Sequence, residues 1–167
     1  MLFCMSIKLS RRDLLSIAAG LAAAVGGPRL AAAQTKAPAQ AKPRLVVYKD
    51  PSCGCCQQWV VHMQANGYEA TVNNVSPMDP IKAQHKIPQK LQSCHTTLVG
   101  GYVIEGHVPA SDVARLLKEK PKGIVGLTIP GMPQSAPGMD VKPFQPYVVL
   151  TFDAQGRTTE YARHDKP

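Results

Sequence analysis

Residues 50–59 read DPSCGCCQQW, with three cysteines inside four positions. Cys53 and Cys56 have the Cys-x-x-Cys spacing of a redox pair, and Cys55 stands between them. Thiols join as disulfides, attack disulfides as thiolates, or bind soft metals. Three thiolates packed together repel one another, so such a trio stays partly protonated, oxidises, or gathers a cation. A fourth thiol, Cys94, lies far along the chain, directly before His95.

The elements around these residues decide whether they meet. Leu45-Val46-Val47-Tyr48 is a short β-branched run that reads as a buried strand. Asp50-Pro51-Ser52 supplies helix-start chemistry, and Trp59, Val60 and Met63 then recur at helical spacing until Asn66-Gly67. A strand followed by Cys-x-x-Cys at a helix N-terminus is the thioredoxin arrangement. Free amide N–H groups and the helix dipole there stabilise a thiolate. Tyr68–Val75 alternates as a second strand, and Pro77–Lys86 reads as a short helix. Thr96–Val99 and Tyr102–Ile104 form a hairpin through Gly100-Gly101, and Pro109–Glu119 is an amphipathic helix.

That order predicts an α/β fold: a thioredoxin-like four-stranded mixed sheet with helices on both faces, spanning residues 44–122. In such a sheet the third strand lies beside the first, which carries Cys94 over the helix start. Glutaredoxin-like sequences place a cis-proline at that corner; here the residues are Ser93-Cys94-His95-Thr96. Residues 123–167 form a C-terminal extension. Its first part, to Pro146, holds four glycines and five prolines and cannot be regular for long. Tyr147–Phe152 and Arg157–Tyr161 then make a second hairpin.

Four readings of the thiols stay open at this level. Two structural disulfides have three possible pairings, although bridging the neighbours Cys55 and Cys56 is geometrically strained. A closed zinc site ordinarily draws on two separated cysteine pairs. A thiol-disulfide oxidoreductase would attack with Cys53 and resolve with Cys56. A soft thiophilic metal, copper(I) above all, suits a thiolate cluster outside the cytoplasm. Met132 and Met139 each follow a glycine in the irregular extension, where no helix face buries them, and thioether is a soft copper ligand. His95 and His107 flank the first hairpin and could add nitrogen, whereas His62, His85 and His164 read as packed or surface residues and Trp59 as a core anchor.

The N-terminus carries a different signal. Ser10-Arg11-Arg12-Asp13-Leu14-Leu15, an apolar run to about Gly27 and Ala31-Ala32-Ala33 predict a twin-arginine signal peptide over residues 1–33, and hence a periplasmic protein. Residues 34–43 read as a disordered leader. Losing the signal removes Cys4 together with Lys8, Arg11, Arg12, Arg29 and Asp13, so 19 basic and 11 acidic residues become 15 and 10. The remaining excess is scattered, without the basic and aromatic interleaving of a nucleic-acid site. No stretch of the mature chain is apolar enough to span a membrane. One compact domain, expected to be a monomer, is the outcome.

Taken together, Cys53-Gly54-Cys55-Cys56 with Trp59 and His62-Met63, Ser93-Cys94-His95-Thr96, the run from Val99 to Pro109, Pro130-Gly131-Met132-Pro133 and Pro137-Gly138-Met139 resemble the CopG-type periplasmic copper-resistance proteins. The resemblance runs from near Arg44 to near Pro143. It implies a thioredoxin-like domain with an extension that helps bind copper, and cysteines that bridge several copper ions to interconvert Cu(I) and Cu(II). By that resemblance Cys53, Cys55, Cys56 and Cys94 are the cluster thiolates; Met132 and Met139 follow as further ligands from their softness. Copper ions are then the cargo, and periplasmic efflux or carrier proteins the partners. A copper oxidoreductase and a carrier feeding an efflux system are both compatible with it.

Overall fold

The computed structural model describes residues 41–166. The predicted signal peptide and all but the end of the predicted leader lie outside the described residues. Seven strands and three α-helices follow in the order β1 (Arg44–Lys49), α1 (Gly54–Ala65), β2 (Glu69–Asn74), α2 (Asp79–Gln84), β3 (His95–Val99), β4 (Tyr102–Glu105), α3 (Ala110–Glu119), β5 (Gly126–Thr128), β6 (Tyr147–Phe152) and β7 (Thr158–His164). A single 3₁₀ turn, Gln89–Leu91, precedes β3.

The strands form one sheet in the order β2-β1-β3-β4-β5-β6-β7. β1 runs parallel to β2 and antiparallel to β3, and β3 pairs antiparallel with β4. The third strand therefore does lie beside the first. The expected four-stranded sheet is corrected to seven strands. β5 adds parallel to β4, and the β6–β7 hairpin adds antiparallel to β5, so the extension continues the sheet. Three residues are too few to show a hydrophobic period, and the glycine at the head of β5 reads as loop. That glycine is required by packing: a Cβ on Gly126 would sit 1.7 Å from the Val103 carbonyl oxygen, so only a bare backbone brings β5 this close to β4.

Alternation along β3 and β4 divides the core between two faces. Val99 and Ile104 join Trp59, Val60 and Met63 of α1 and Val113 and Leu116 of α3. Leu98 and Val103 point the other way, to Ile87, Leu91 and Phe152. Lys82 of α2 reaches Thr96 and Glu105 on that second face, so helices cover both. Trp59 is fully buried and its indole N–H donates to the Val108 carbonyl at 2.9 Å, which ties α1 to the entry of α3. No helix among the described residues is long and apolar enough to cross a membrane.

Candidate metal centre

Helix α1 starts directly after β1, and its N-cap residue is Cys53. The Cys53 sulfur accepts from the Cys56 backbone N–H at 3.3 Å, the place a serine or aspartate oxygen takes in most helices. Cys53 and Cys56 are joined as a disulfide, with their Cα atoms 5.4 Å apart. Cys56 falls on the buried stripe shared with Trp59, Val60 and Met63, while Cys53 stays half-exposed. Cys55 is a free thiol, and its sulfur lies 3.5 Å from that of Cys53. Of the three outcomes expected for a crowded trio, oxidation of one pair is the one present.

Cys94 enters from the residue before β3. Because β3 pairs with β1, the start of β3 sits beside the end of β1, at the edge from which α1 departs. The four sulfurs of Cys53, Cys55, Cys56 and Cys94 all lie within 4.8 Å of one another. Cys94 is free and half-buried; burial first, and the neighbouring Cys55 second, push its thiol up to about 11. Without a cation to compensate, a second thiolate here is unfavourable. A bound metal ion reverses that balance by compensating the charge.

Two histidines complete the cluster. Cys56, Cys94, His95 and His107 form a second ligand set whose donor atoms also lie within 4.8 Å of one another, so Cys56 and Cys94 belong to both sets. His107 Nδ1 is 2.7 Å from the Pro137 carbonyl, which only accepts. Nδ1 therefore carries the proton, and in the neutral ring Nε2 keeps a lone pair, 3.0 Å from the Cys94 sulfur. His95 is fully buried, packed against the rings of Trp59 and His107, and neither of its ring nitrogens has a hydrogen-bond partner. Burial, then the nearby His107, Lys82 and Lys49, hold its pKa well below the usual value, so the ring is neutral. A neutral, unpartnered imidazole beside thiols is a donor set that a copper ion fits.

The remaining histidines lie elsewhere. His62 Nε2 accepts from the Ala110 N–H, His85 lies beside Tyr48, and His164 pairs with Asp112 and stacks on Tyr147.

The glycines that precede the two methionines contact the elements that carry the thiols. The Gly131 carbonyl, one residue before Met132, accepts from the hydroxyl of Ser93, the neighbour of Cys94. Gly138, one residue before Met139, has φ +85° and lies on the first turn of α1: an added Cβ would be 2.9 Å from the Cys55 carbonyl oxygen and 2.6 Å from Trp59 N. Met139 is half-buried and Met132 is 54% exposed.

Sequence reasoning passed over a polar network below Cys94. Glu105 is fully buried; it pairs with Lys82 and accepts from the Ser93 N–H at 2.7 Å and the Thr96 hydroxyl at 2.7 Å. The only trace in the sequence is a glutamate closing the apolar run Tyr102-Val103-Ile104, which also describes a solvent-facing strand end.

Chemically, the cluster offers up to four sulfurs and two imidazole nitrogens once the disulfide is opened, a soft set matched to copper. Residues 91–139, which hold Cys94, His95, His107, Met132 and Met139, match the family model described as "Protein of unknown function, DUF411". Among curated proteins, none matches the chain. Two solved structures of "Copper resistance protein copG" are similar to it. Form 2 is 33% identical over 74% of this chain and 98% of that one, with a TM-score of 0.69. Form 1 is 34% identical over the same shares, with a TM-score of 0.68. At that identity and coverage, the chain belongs to the CopG-type family of copper-resistance proteins.

Proposed function

We propose that this is a periplasmic copper-binding protein whose thiolates bridge more than one copper ion, and that it interconverts Cu(I) and Cu(II) in copper resistance. The observation that carries the reading is the overlap of the two ligand sets: Cys56 and Cys94 are shared between an all-sulfur group and a sulfur–nitrogen group. Bridging sulfurs let one small pocket hold neighbouring ions. Sulfur favours Cu(I), and imidazole also serves Cu(II), so the mixed set lessens the cost of changing oxidation state. Met132 and Met139 are the further ligands in this reading. The thioredoxin-like domain of residues 44–122 positions the thiols, and the loop of the 123–167 extension closes over them. Twin-arginine export places the protein where copper resistance needs it, with efflux or carrier proteins as partners.

The disulfide and the copper compete for the same sulfurs. Opening Cys53–Cys56 takes two electrons and frees two thiols, which lose their protons when metal binds. Reduced protein should therefore take up more than one copper ion per chain, with a thiolate-to-copper absorption band, and oxidised protein should take up fewer. Metal content measured before and after reduction decides it: a reduced chain with one copper or none would sink the cluster.

The disulfide itself supports a second reading, a thiol-disulfide oxidoreductase with half-exposed Cys53 as the attacked and attacking sulfur and buried Cys56 as its resolving partner. Cys94→Ser separates the two. It should strip copper from a cluster protein and leave exchange at Cys53–Cys56 intact.

A further inference from the structure

We propose that the buried Glu105–Lys82 pair is a positioning device for the metal site, holding the Cys94–His95 dipeptide in place from both of its ends. The inference rests on the reading of the site as a copper centre and adds to it two residues that touch no candidate ligand atom.

Glu105 closes β4, directly opposite Thr96 in the β3–β4 register. Its carboxylate spends both oxygens on the polypeptide that carries the ligands. Oε1 accepts from the Ser93 backbone N–H at 2.7 Å and from Lys82 Nζ, and Oε2 accepts from the Thr96 hydroxyl at 2.7 Å. Ser93 precedes Cys94 and Thr96 follows His95, so one carboxylate grips the chain on either side of the two ligand candidates. Lys82 comes from α2 and adds its own bond to the Thr96 hydroxyl at 3.4 Å. The grip continues outward: Ser93 Oγ donates to the Gly131 carbonyl at 2.5 Å and lies 3.8 Å from the Cys94 sulfur.

Two charges this deeply buried are a poor way to gain stability, because well-packed apolar residues of the same volume do as well or better. What a carboxylate supplies here and a leucine does not is directional acceptance of two hydrogen bonds from the stretch that leads into β3. Metal ligation needs that direction, since donor atoms must sit within a few tenths of an ångström of the coordination distance. Residues that orient ligands in this way are worth about 10–100-fold in metal affinity.

Four forms of the full chain test it: wild type, Glu105→Asp, and the double variants Lys82→Met/Glu105→Gln and Lys82→Met/Glu105→Leu. Glu105→Asp keeps both charges and withdraws the carboxylate by one methylene. The glutamine variant removes both charges and keeps an acceptor for Ser93. The leucine variant removes charges and acceptor together. Each reduced, metal-free protein is alkylated with iodoacetamide, and the rates at Cys94 and Cys55 are resolved by peptide mass spectrometry; copper affinity is measured against a Cu(I) chelator.

Expected is a rise of about 10-fold in the Cys94-to-Cys55 rate ratio, with copper affinity down about 10–100-fold, in the aspartate and leucine variants, and recovery to within a few-fold in the glutamine variant. General loosening would raise both rates and leave the ratio unchanged. If the leucine variant does not fold, Glu105→Asp decides alone. A wild-type ratio in Glu105→Asp, or an equal rise in the glutamine variant, overturns the positioning role. Wild-type protein that binds no copper, with the alkylation pattern as expected, refutes the copper reading and leaves the clamp standing.

Discussion

His107 Nε2 lies 3.0 Å from the Cys94 sulfur while the opposite nitrogen of the same ring is fixed by the Pro137 carbonyl, so the extension decides which nitrogen faces the thiols. A thiol from the end of one loop and an imidazole from the end of another are thereby aimed at one point. A backbone carbonyl on the far ring nitrogen is one of the common partners by which proteins orient a metal-ligating histidine.

His107→Ala removes that donor and should weaken Cu(I) binding by about 10–100-fold. The four thiols remain, so the reduced variant should still bind some copper. Titration against a Cu(I) chelator is the check, and an affinity equal to wild type would exclude His107 from the site.

Met132→Leu and Met139→Leu separate ligation from packing. Leucine keeps the apolar bulk and removes the sulfur. Met132 is largely exposed, so its variant should melt within about 0.5 kcal/mol of wild type. Both variants should lose Cu(I) affinity; unchanged chelator competition in both would restrict the site to thiols and imidazoles.

Gly138→Ala strikes the contact between the extension and α1. The residue has φ +85°, and the new methyl would meet the backbone of Trp59 and Cys55, which cannot swing aside as a side chain can. Overpacking and the left-handed strain together should cost about 2–4 kcal/mol. Thermal unfolding of metal-free protein measures it, and a midpoint equal to wild type would remove Gly138 from the account.

Acid should destabilise the metal-free protein. Burial lowers the pKa of His95, His107 and His62 from 6.5, so the unfolded chain binds more protons than the folded one below that pH. Their contribution is complete above pH 6.5 and is lost as pH falls through their folded values. Glu105, raised from 4.5 chiefly by burial, acts in the opposite sense: its contribution is complete below pH 4.5 and is lost as pH rises through its folded value. At the alkaline end, the Cys94 thiol at about 11 against 9.0 unfolded gives stability that is lost as pH rises from 9 toward 11. Denaturant midpoints should therefore fall on acidification from pH 7 to 5.5 and, in reduced protein, on raising pH beyond 9. A flat profile across the acid window would contradict the buried neutral histidines.

Local physics wrote much of this into the chain. The three thiols at the start of α1 are legible because a strand, a turn and a helix with Trp59, Val60 and Met63 on one stripe are all short-range patterns. The hairpin at Gly100-Gly101 and the helix after Pro109 are legible for the same reason. Strand order could be argued too, and with it the arrival of Cys94. By contrast, β5 is three residues held by backbone hydrogen bonds and a missing Cβ, and neither leaves a side-chain pattern to read.

The chain by itself determined which atoms were on offer: the thiols of Cys53, Cys55, Cys56 and Cys94, the thioethers of Met132 and Met139, and histidines at both ends of one hairpin. Tertiary structure alone decided which of them meet. Pairing of β3 with β1 carries Cys94 to the other sulfurs, and the returning extension turns His107 toward it. Burial leaves His95 without a partner, and a carboxylate from β4 grips both sides of the Cys94–His95 pair. The reason is one of range: helix and strand periods follow from neighbours in sequence, whereas a ligand set is built from residues tens of positions apart, whose distances exist only once the sheet has closed.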